Sequence, residues 1–302
     1  MTEPVRIAVP RKGRPLEAVL DRLATVADAE AVADDVVSTL RYEKAVAKGS
    51  RSPDRTVYER LAAESDLEDP YRPDFTMLRD DRAGKPRRIV FDALRVDVAG
   101  TTVELVGREE PFRALRTHSF ALGFDSADLV LEEVVPLSDD PLATVADLNE
   151  RIDPRDTDVR VVGGLGDTVS HTLLATPETV DQVATDRLDR SFVDGYEGDL
   201  VISPRYERLV EAVLGLSVLD GVDFVYPDPG ADEEAAIAAT GVGVYLTMTG
   251  ATARDHGLIV GEELFPSETV FLENVTEADE KDVQTVKRAL ARRDRPPTVP
   301  LP

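Results

Sequence analysis

A short segment rich in hydroxyl side chains and glycine follows an apolar run near the end of the sequence. Residues 242–246 form the apolar run, and Thr249, Gly250, Ala251 and Thr252 come shortly after it. Small side chains leave backbone N–H groups accessible, and threonine hydroxyls add further donors. The segment is therefore a candidate phosphate-binding loop at the end of a strand, although polar loops without a ligand often have the same composition.

A basic turn follows the first predicted strand. Residues 5–9 form a β-branched run, and Lys12 and Arg14 lie in the turn before a helix that starts near Leu16. Ligands of open α/β sheets bind beyond the carboxyl ends of the strands. Lys12 and Arg14 are therefore candidates for contacts with an anionic substrate, and the alternative is a solvent-exposed basic turn.

The charge balance excludes some classes of partner. The chain has 302 residues, with 59 acidic and 35 basic side chains and a formal net charge of −24. Such a surface repels nucleic acids and anionic membranes over most of its area. The excess of Asp, together with a preference for Arg over Lys, predicts a halophilic protein that stays hydrated in concentrated salt.

Several kinds of chemistry find no support in the sequence. The chain contains no cysteine, which excludes disulfides and thiolate catalysis. No spacing of His, Asp and Glu predicts a permanent metal site, and we predict structural roles for His118 and His171. No apolar stretch has the length of a signal peptide or of a membrane span, so we predict a cytoplasmic protein.

The order of elements predicts an α/β fold with largely parallel sheets. Short β-branched runs alternate with segments of helical periodicity, such as the apolar face formed by Leu16, Val19, Leu20 and Leu23. Residues 41–88 are polar and rich in turn signals, which predicts a surface insertion. The glycines at 163–166 lack the third glycine and the following helix of a dinucleotide-binding loop.

Taken in order, several segments resemble the ATP phosphoribosyltransferase family, and the most specific of them is the Thr-Gly-Ala-Thr loop. Residues 6–14 are similar to the opening strand and Lys-Gly-Arg loop of the family, and residues 103–106, 110–112 and 122–133 are similar to a strand, a short helix and the segment after them. Residues 165–177 are similar to the strand that enters the second domain. The last match is to the phosphoribosyl-pyrophosphate (PRPP) loop and the strand after it, and it covers residues 249–252, 257–258, 262–263 and 271–274.

The resemblance implies a two-domain fold of the periplasmic-binding-protein type, with a ligand cleft between the domains. Domain I would comprise residues 1–165, with an insertion at about 40–88, domain II would comprise residues 166–245, and residues 246–302 would return to domain I. The implied reaction joins N1 of ATP to PRPP and releases pyrophosphate, as the first step of histidine biosynthesis.

The resemblance also implies which residues bind the substrates. Residues 249–252 would hold the 5′-phosphate of PRPP, and Lys12 and Arg14 would face the polyphosphate. Mg²⁺ would arrive with the substrate phosphates, and no catalytic residue is assigned. Glu234 is a weaker candidate for a conserved glutamate of the family, because the match needs a two-residue gap.

The sequence departs from the family pattern at positions that matter for activity. Tyr245 stands where the family has an acidic residue on the ribose side of PRPP, and His256 replaces the usual Asn. Only 28 residues follow Asn274, fewer than the regulatory domain of the long form needs. The resemblance then implies either a separate regulatory subunit, as in the short form of the enzyme, or a paralogue with another task. A homo-oligomer is the other assembly that we expect.

Two alternatives to this reaction remain open. The first is a divergent, non-catalytic paralogue that binds a nucleotide or another phosphorylated small molecule. The second is a transferase that acts on a different nitrogen nucleophile.

Overall fold

The computed structural model describes residues 3–291, apart from 67, 80–86, 141, 143, 184, 186 and 229–231. Strands alternate with helices along most of this length, which confirms the predicted α/β class. None of the helices in the described part of the chain combines the length and the apolar character needed to cross a bilayer.

Strands and helices are numbered separately in chain order. The strands are β1 Val5–Pro10, β2 Asp74–Leu78, β3 Arg88–Val98, β4 Thr101–Arg108, β5 Leu122–Ser126, β6 Val159–Gly164, β7 Val169–Ala175, β8 Gly198–Val201, β9 Val222–Val225, β10 Val242–Thr247, β11 Ile259–Ser267 and β12 Thr269–Asn274. The α-helices are α1 Gly13–Ala27, α2 Glu30–Ala47, α3 Val57–Glu64, α4 Pro111–Arg116, α5 Ala127–Val134, α6 Leu148–Arg151, α7 Pro177–Val180, α8 Arg190–Asp194, α9 Glu207–Leu214, α10 Glu233–Thr240, α11 Ala251–Asp255 and α12 Lys281–Ala291. Short 3₁₀ helices cover Val145–Asp147, Pro204–Tyr206 and Leu216–Leu219.

The chain forms two compact units, each built from separate stretches of sequence. Unit 1 comprises Met1–Asp125, Asp158–Leu165 and Val270–Pro302, and unit 2 comprises Ser126–Thr157 and Gly166–Thr269. The predicted division placed residues 126–157 and 246–269 in domain I, whereas both belong to unit 2. Residues 246–269 belong to unit 2 because their strand β11 pairs antiparallel with β7, which is itself paired with β10.

Unit 1 contains a seven-stranded sheet in the order β2-β3-β4-β1-β5-β12-β6. Strand β1 pairs parallel with β4 and β5, whereas β2–β3, β3–β4 and β12–β6 are antiparallel. The sheet is thus mixed rather than largely parallel. The predicted apolar face of α1 is buried in the core of this unit, as expected for an amphipathic helix on a sheet.

The predicted surface insertion is an integral part of unit 1. Residues 41–47 extend α2, and β2 forms the edge strand of the sheet beside β3. Helix α3 is tied to α2 by a buried ion pair in which Arg60 Nε and Nη2 donate to Glu43 at 2.6 and 2.9 Å. Phe75 on β2 is buried in the core. Burial of these side chains shows that the segment contributes to the packing of the unit.

Unit 2 contains a five-stranded sheet in the order β11-β7-β10-β8-β9. Strands β10, β8 and β9 are parallel, and β7 is antiparallel to β10. Helix α10 packs near β8 and β10, and its residue Ile237 is buried against Leu174 and Val201. Strand β10 is the central strand of this sheet, and the candidate phosphate loop follows its carboxyl end.

Candidate phosphate-binding loop

The loop between β10 and α11 makes a sharp turn at Gly250. This residue has φ 66° and ψ 16°, in the left-handed region, and precedes the first turn of α11. A Cβ atom at Gly250 would lie 2.7 Å from Val260 Cγ2, which is too close for any real side chain. Both the backbone conformation and the packing therefore require glycine at this position.

Most backbone amides of the loop make no hydrogen bond to a residue that the structure describes. The amide of Ala251 makes a long bond of 3.4 Å to Thr249 Oγ1. In the described part of the chain, no hydrogen bond uses the amide of Thr249, Gly250 or Thr252 as donor. Thr249 and Thr252 are exposed, so their hydroxyls are accessible as well. This set of free donors can bind an anion such as a phosphate group.

A second residue of α11 folds back over the loop. Arg254 Nη2 donates to the carbonyl oxygen of Thr249 at 2.6 Å. The amide of Arg254 donates to the carbonyl of Gly250 at 3.1 Å, which closes the first turn. Arg254 thus bonds to two consecutive carbonyl groups of the loop and leaves most of the loop amides unbonded within the described structure.

The start of the loop is fixed by a contact between two strands. The hydroxyl oxygens of Thr172 on β7 and Thr247 at the end of β10 lie 2.6 Å apart. Thr172 is fully buried, and its hydroxyl also lies 3.3 Å from the carbonyl oxygen of Ser170. This contact anchors the last residue of β10 at the point where the loop begins.

Two acidic side chains lie near Tyr245, which occupies the position where the family resemblance expects an acidic residue. The pKa of Tyr245 is raised to about 12, first by burial and then by the nearby negative charges of Glu233 and Glu234. The phenol is therefore a neutral donor at physiological pH. Glu234, a candidate from the sequence, lies in the first turn of α10 and near this phenol rather than on the loop itself.

The sequence did not point to Glu233. Its proximity to Tyr245 depends on how α10 packs beside β10, which no local spacing reveals. Asp232, the N-cap of α10, lies 3.7 Å from the Nε2 atom of His256 just after α11. The acidic start of α10 therefore contacts both β10 and the segment that follows the loop.

The two basic candidates lie in unit 1, at the end of β1. Lys12 is the N-cap residue of α1, and its Nζ lies 3.6 Å from Glu109 Oε2. The neighbouring Arg11 donates to the carbonyl of Gly107 at 3.1 Å and lies 3.3 Å from Asp92. Arg14 is in the first turn of α1. Lys12 and Arg14 thus belong to a different unit from the loop at 249–252, and Lys12 already has an acidic neighbour.

His171 is buried in unit 2 beside Asp128. The Nε2 atom of His171 lies 3.3 Å from Asp128 Oδ1, and its ring meets that of Tyr206 edge-on at 4.6 Å. Neither ring nitrogen makes a hydrogen bond, so the contact with Asp128 lacks hydrogen-bond geometry. Among the residues that the structure describes, no group of three His, Asp or Glu side chains is arranged to hold a metal ion.

Together these features define an α/β protein of two sheet-centred units, one of which carries a Gly-containing loop whose amides at residues 249, 250 and 252 have no acceptor among the described residues. The chain belongs to the halobacterial ATP phosphoribosyltransferase family, whose model matches residues 1–299. A search of curated proteins finds no significant match.

Matches among solved structures have low sequence identities and low TM-scores. An ATP phosphoribosyltransferase (HisG:HisZ) complex from Thermotoga maritima is 12% identical, with 95% of this chain and 98% of that chain covered and a TM-score of 0.41. YhfZ from Shigella flexneri is 11% identical, with 96% and 92% covered and a TM-score of 0.42. The periplasmic VFT2 domain of BvgS from Bordetella pertussis is 13% identical, with 64% and 70% covered and a TM-score of 0.30. Similarities this low say nothing about the activity of the chain.

Proposed function

We propose that this protein is a PRPP-dependent transferase that joins N1 of ATP to the anomeric carbon of PRPP, with loss of pyrophosphate. Membership of the family supports the class of reaction. The observation that carries the proposal is the open loop at residues 249–252, where Gly250 holds the left-handed conformation and neighbouring amides have no intramolecular acceptor. The proposed reaction would serve histidine biosynthesis in the cytoplasm.

The loop would bind the 5′-phosphate of PRPP through its amides and through the hydroxyls of Thr249 and Thr252. In this reaction the anomeric carbon becomes cationic while an anionic leaving group departs. Rate enhancement would therefore come mainly from positioning and from neutralisation of charge. Lys12 and Arg14 would contact the polyphosphate of a substrate, where cationic donors form strong charge-assisted bonds.

Mg²⁺ would be carried by the substrate phosphates rather than by a preformed protein site. Such binding fits the preference of Mg²⁺ for phosphate oxygens and water with only one or two carboxylates. The ion would lower the repulsion between the phosphates and the acidic surface around the loop.

Isothermal titration with PRPP and Mg²⁺ in concentrated KCl tests the binding step, and release of pyrophosphate in the presence of ATP tests the reaction. We expect saturable heat with PRPP and pyrophosphate formation that needs both substrates. No heat at millimolar PRPP would remove the proposal. Pyrophosphate release that requires another nitrogen base in place of ATP would change the nucleophile and leave the class of reaction standing.

A second candidate function is binding of a phosphorylated nucleotide without turnover. The observation that favours it is Tyr245, because a neutral phenol stands where the family resemblance expects a carboxylate. Glu233 and Glu234 lie near the phenol and keep negative charge in the region. Binding of PRPP or ATP with no pyrophosphate release over hours would select this candidate.

The oligomeric state also remains a proposal. We infer that the protein either self-associates or binds a separate regulatory subunit. Light scattering after size-exclusion chromatography of the purified chain distinguishes a monomer from an oligomer. A monomer with low activity that rises on addition of a cell extract fraction would favour the separate subunit.

A further inference from the structure

Almost all of the net negative charge of the protein resides in unit 2. Unit 2 contains 29 acidic and 7 basic residues, a formal charge of −22, whereas unit 1 contains 30 acidic and 28 basic residues, a formal charge of −2. All six lysines of the chain lie in unit 1. The candidate phosphate loop therefore lies in the unit that repels anions most strongly.

Arg254 is one of the seven cations of unit 2, and it lies on the loop itself. Its Nη2 donates to the carbonyl oxygen of Thr249 at 2.6 Å, and its Nη1 lies 3.2 Å from where a Cβ of Gly250 would be. The guanidinium is thus folded directly over the left-handed turn. It is exposed to solvent, and the bond to Thr249 uses one of its several N–H donors.

The contact with Thr249 does not neutralise the charge of Arg254. The acceptor is a carbonyl oxygen, whereas the cations at Arg155 and Arg187 lie beside the carboxylates of Asp153 and Asp189. A phosphate seated on the loop amides would lie next to a guanidinium with free donors. The planar fork of arginine matches two phosphate oxygens.

We propose that Arg254 is a phosphate-binding residue of the loop, which offsets the negative field of unit 2 and selects ligands that carry a dianionic phosphate monoester. Arg254 lies between Thr252 and the Gly257-Leu258 pair, which carry the family resemblance. The family pattern specifies no residue type at position 254. The inference rests on the proposed function, because it uses the same loop.

A purely structural role for Arg254 makes a different prediction. If the side chain only clamps Thr249, its removal loosens the loop and weakens every ligand to the same extent, whatever the charge of the ligand. If it binds phosphate, the loss grows with the charge on the phosphate and shrinks with salt. The two roles are therefore separable by changing the ionisation of the ligand.

The test is titration calorimetry of the full chain with ribose 5-phosphate, for the wild type, Arg254→Gln and Arg254→Lys. Arg155→Gln is the matched control, because it removes the same charge from an exposed site of unit 2 that is paired with Asp153. Each protein is measured at about pH 8 and about pH 5, where the second phosphate proton, with a pKa of about 6, is off and on respectively.

We expect Arg254→Gln to weaken binding by about 10- to 100-fold at the higher pH, as for loss of a charge-assisted bond, and by a smaller factor at the lower pH. Arg254→Lys should keep part of the affinity, and Arg155→Gln should bind within about twofold of wild type. An equal loss at both pH values, or binding of Arg254→Gln within about twofold of wild type, would overturn the inference while the proposed function stands. A wild-type protein that binds neither ribose 5-phosphate nor PRPP would overturn the proposed function itself.

Discussion

Gly250 and Val260 are packed so closely that no side chain fits between them. A Cβ at Gly250 would lie 2.7 Å from Val260 Cγ2 and 3.2 Å from Val260 Cγ1. The close approach holds the candidate phosphate loop against the start of β11. The same contact gives a direct way to disturb the loop without touching its hydroxyl groups.

We predict that Gly250→Val weakens phosphate binding by about 1–3 kcal/mol, because the turn must leave the left-handed region and move away from Val260. The measurement is calorimetry with ribose 5-phosphate or PRPP. Gly257→Ala is the matched control, since Gly257 also has a positive φ of 76° but would place its Cβ in open space. Val260→Ala in the Gly250→Val background should restore part of the affinity, and a lack of any coupling between the two changes would contradict the packing explanation.

Thr252 offers a test of the hydroxyl groups alone. Thr252→Ala should weaken phosphate binding by about 1–3 kcal/mol through loss of one donor, whereas Thr252→Ser should stay close to wild type. The side chain is exposed, so the thermal unfolding midpoint should hardly change in either variant. Wild-type affinity in Thr252→Ala would remove this residue from the site.

The raised pKa of Tyr245 predicts a loss of stability in alkali. The phenol has a pKa of about 12 in the folded protein, caused first by burial and then by Glu233 and Glu234, and a pKa of about 10 in the unfolded chain. Its contribution to stability is therefore complete below about pH 10 and falls as the pH rises towards 12. Urea unfolding between about pH 8 and pH 11 should show a shallower decline for Tyr245→Phe than for wild type.

Glu233→Gln should lie between these two proteins, since it removes one of the charges that oppose ionisation of the phenol. Tyr58→Phe is the control, because Tyr58 is an exposed tyrosine in unit 1. Parallel curves for wild type and Tyr245→Phe would show that the phenol does not titrate abnormally.

The ion pair between Glu43 and Arg60 predicts a large effect on the stability of unit 1. Both side chains are buried, and Arg60 also donates to the carbonyl of Arg55 at 2.9 Å. Loss of one partner leaves a buried charge, so Arg60→Met should cost about 3–5 kcal/mol. Arg155→Gln, which breaks an exposed pair, should cost less than about 1 kcal/mol. Chemical denaturation measures both values, and equal small costs would contradict burial of the pair.

The uneven distribution of charge predicts that low salt affects unit 2 first. Self-repulsion among acidic groups is strong when the Debye length is long and is screened by salt. Hydrogen exchange in about 0.1 M and about 3 M KCl should therefore show loss of amide protection in β7 and β10 before β1 and β4 as salt is lowered. Simultaneous loss in both sheets would contradict a local origin in unit 2.

Sequence patterns predicted the elements that depend on local order. Strand β1, the apolar face of α1 and the strand that leads into the Thr-Gly-Ala-Thr loop follow from β-branched runs and helical spacing. The position of the loop after β10 was predicted from its glycine and hydroxyl groups, and phosphate binding there stays a prediction. These features depend on residues that are close together in the chain.

Contacts between distant residues were not predictable in the same way. The pairing of Lys12 with Glu109 depends on the parallel register of β1 and β4, in which Pro10 lies opposite Arg108. The position of Glu233 near Tyr245 depends on the packing of α10. The assignment of residues 246–269 to unit 2 depends on the pairing of Phe265 with His171, 94 positions apart. Local periodicity contains no information on such pairings.

The order of strands in unit 1 has a consequence for synthesis of the protein on the ribosome. Strand β12 lies between β5 and β6 in the sheet, although it is the last of the seven strands in this sheet to be synthesised. Until residues 269–274 emerge, the nascent chain cannot join β6 to the rest of that sheet, and two strand edges stay without their final neighbour. Truncation before β12 should therefore yield an aggregating polypeptide rather than a smaller folded protein.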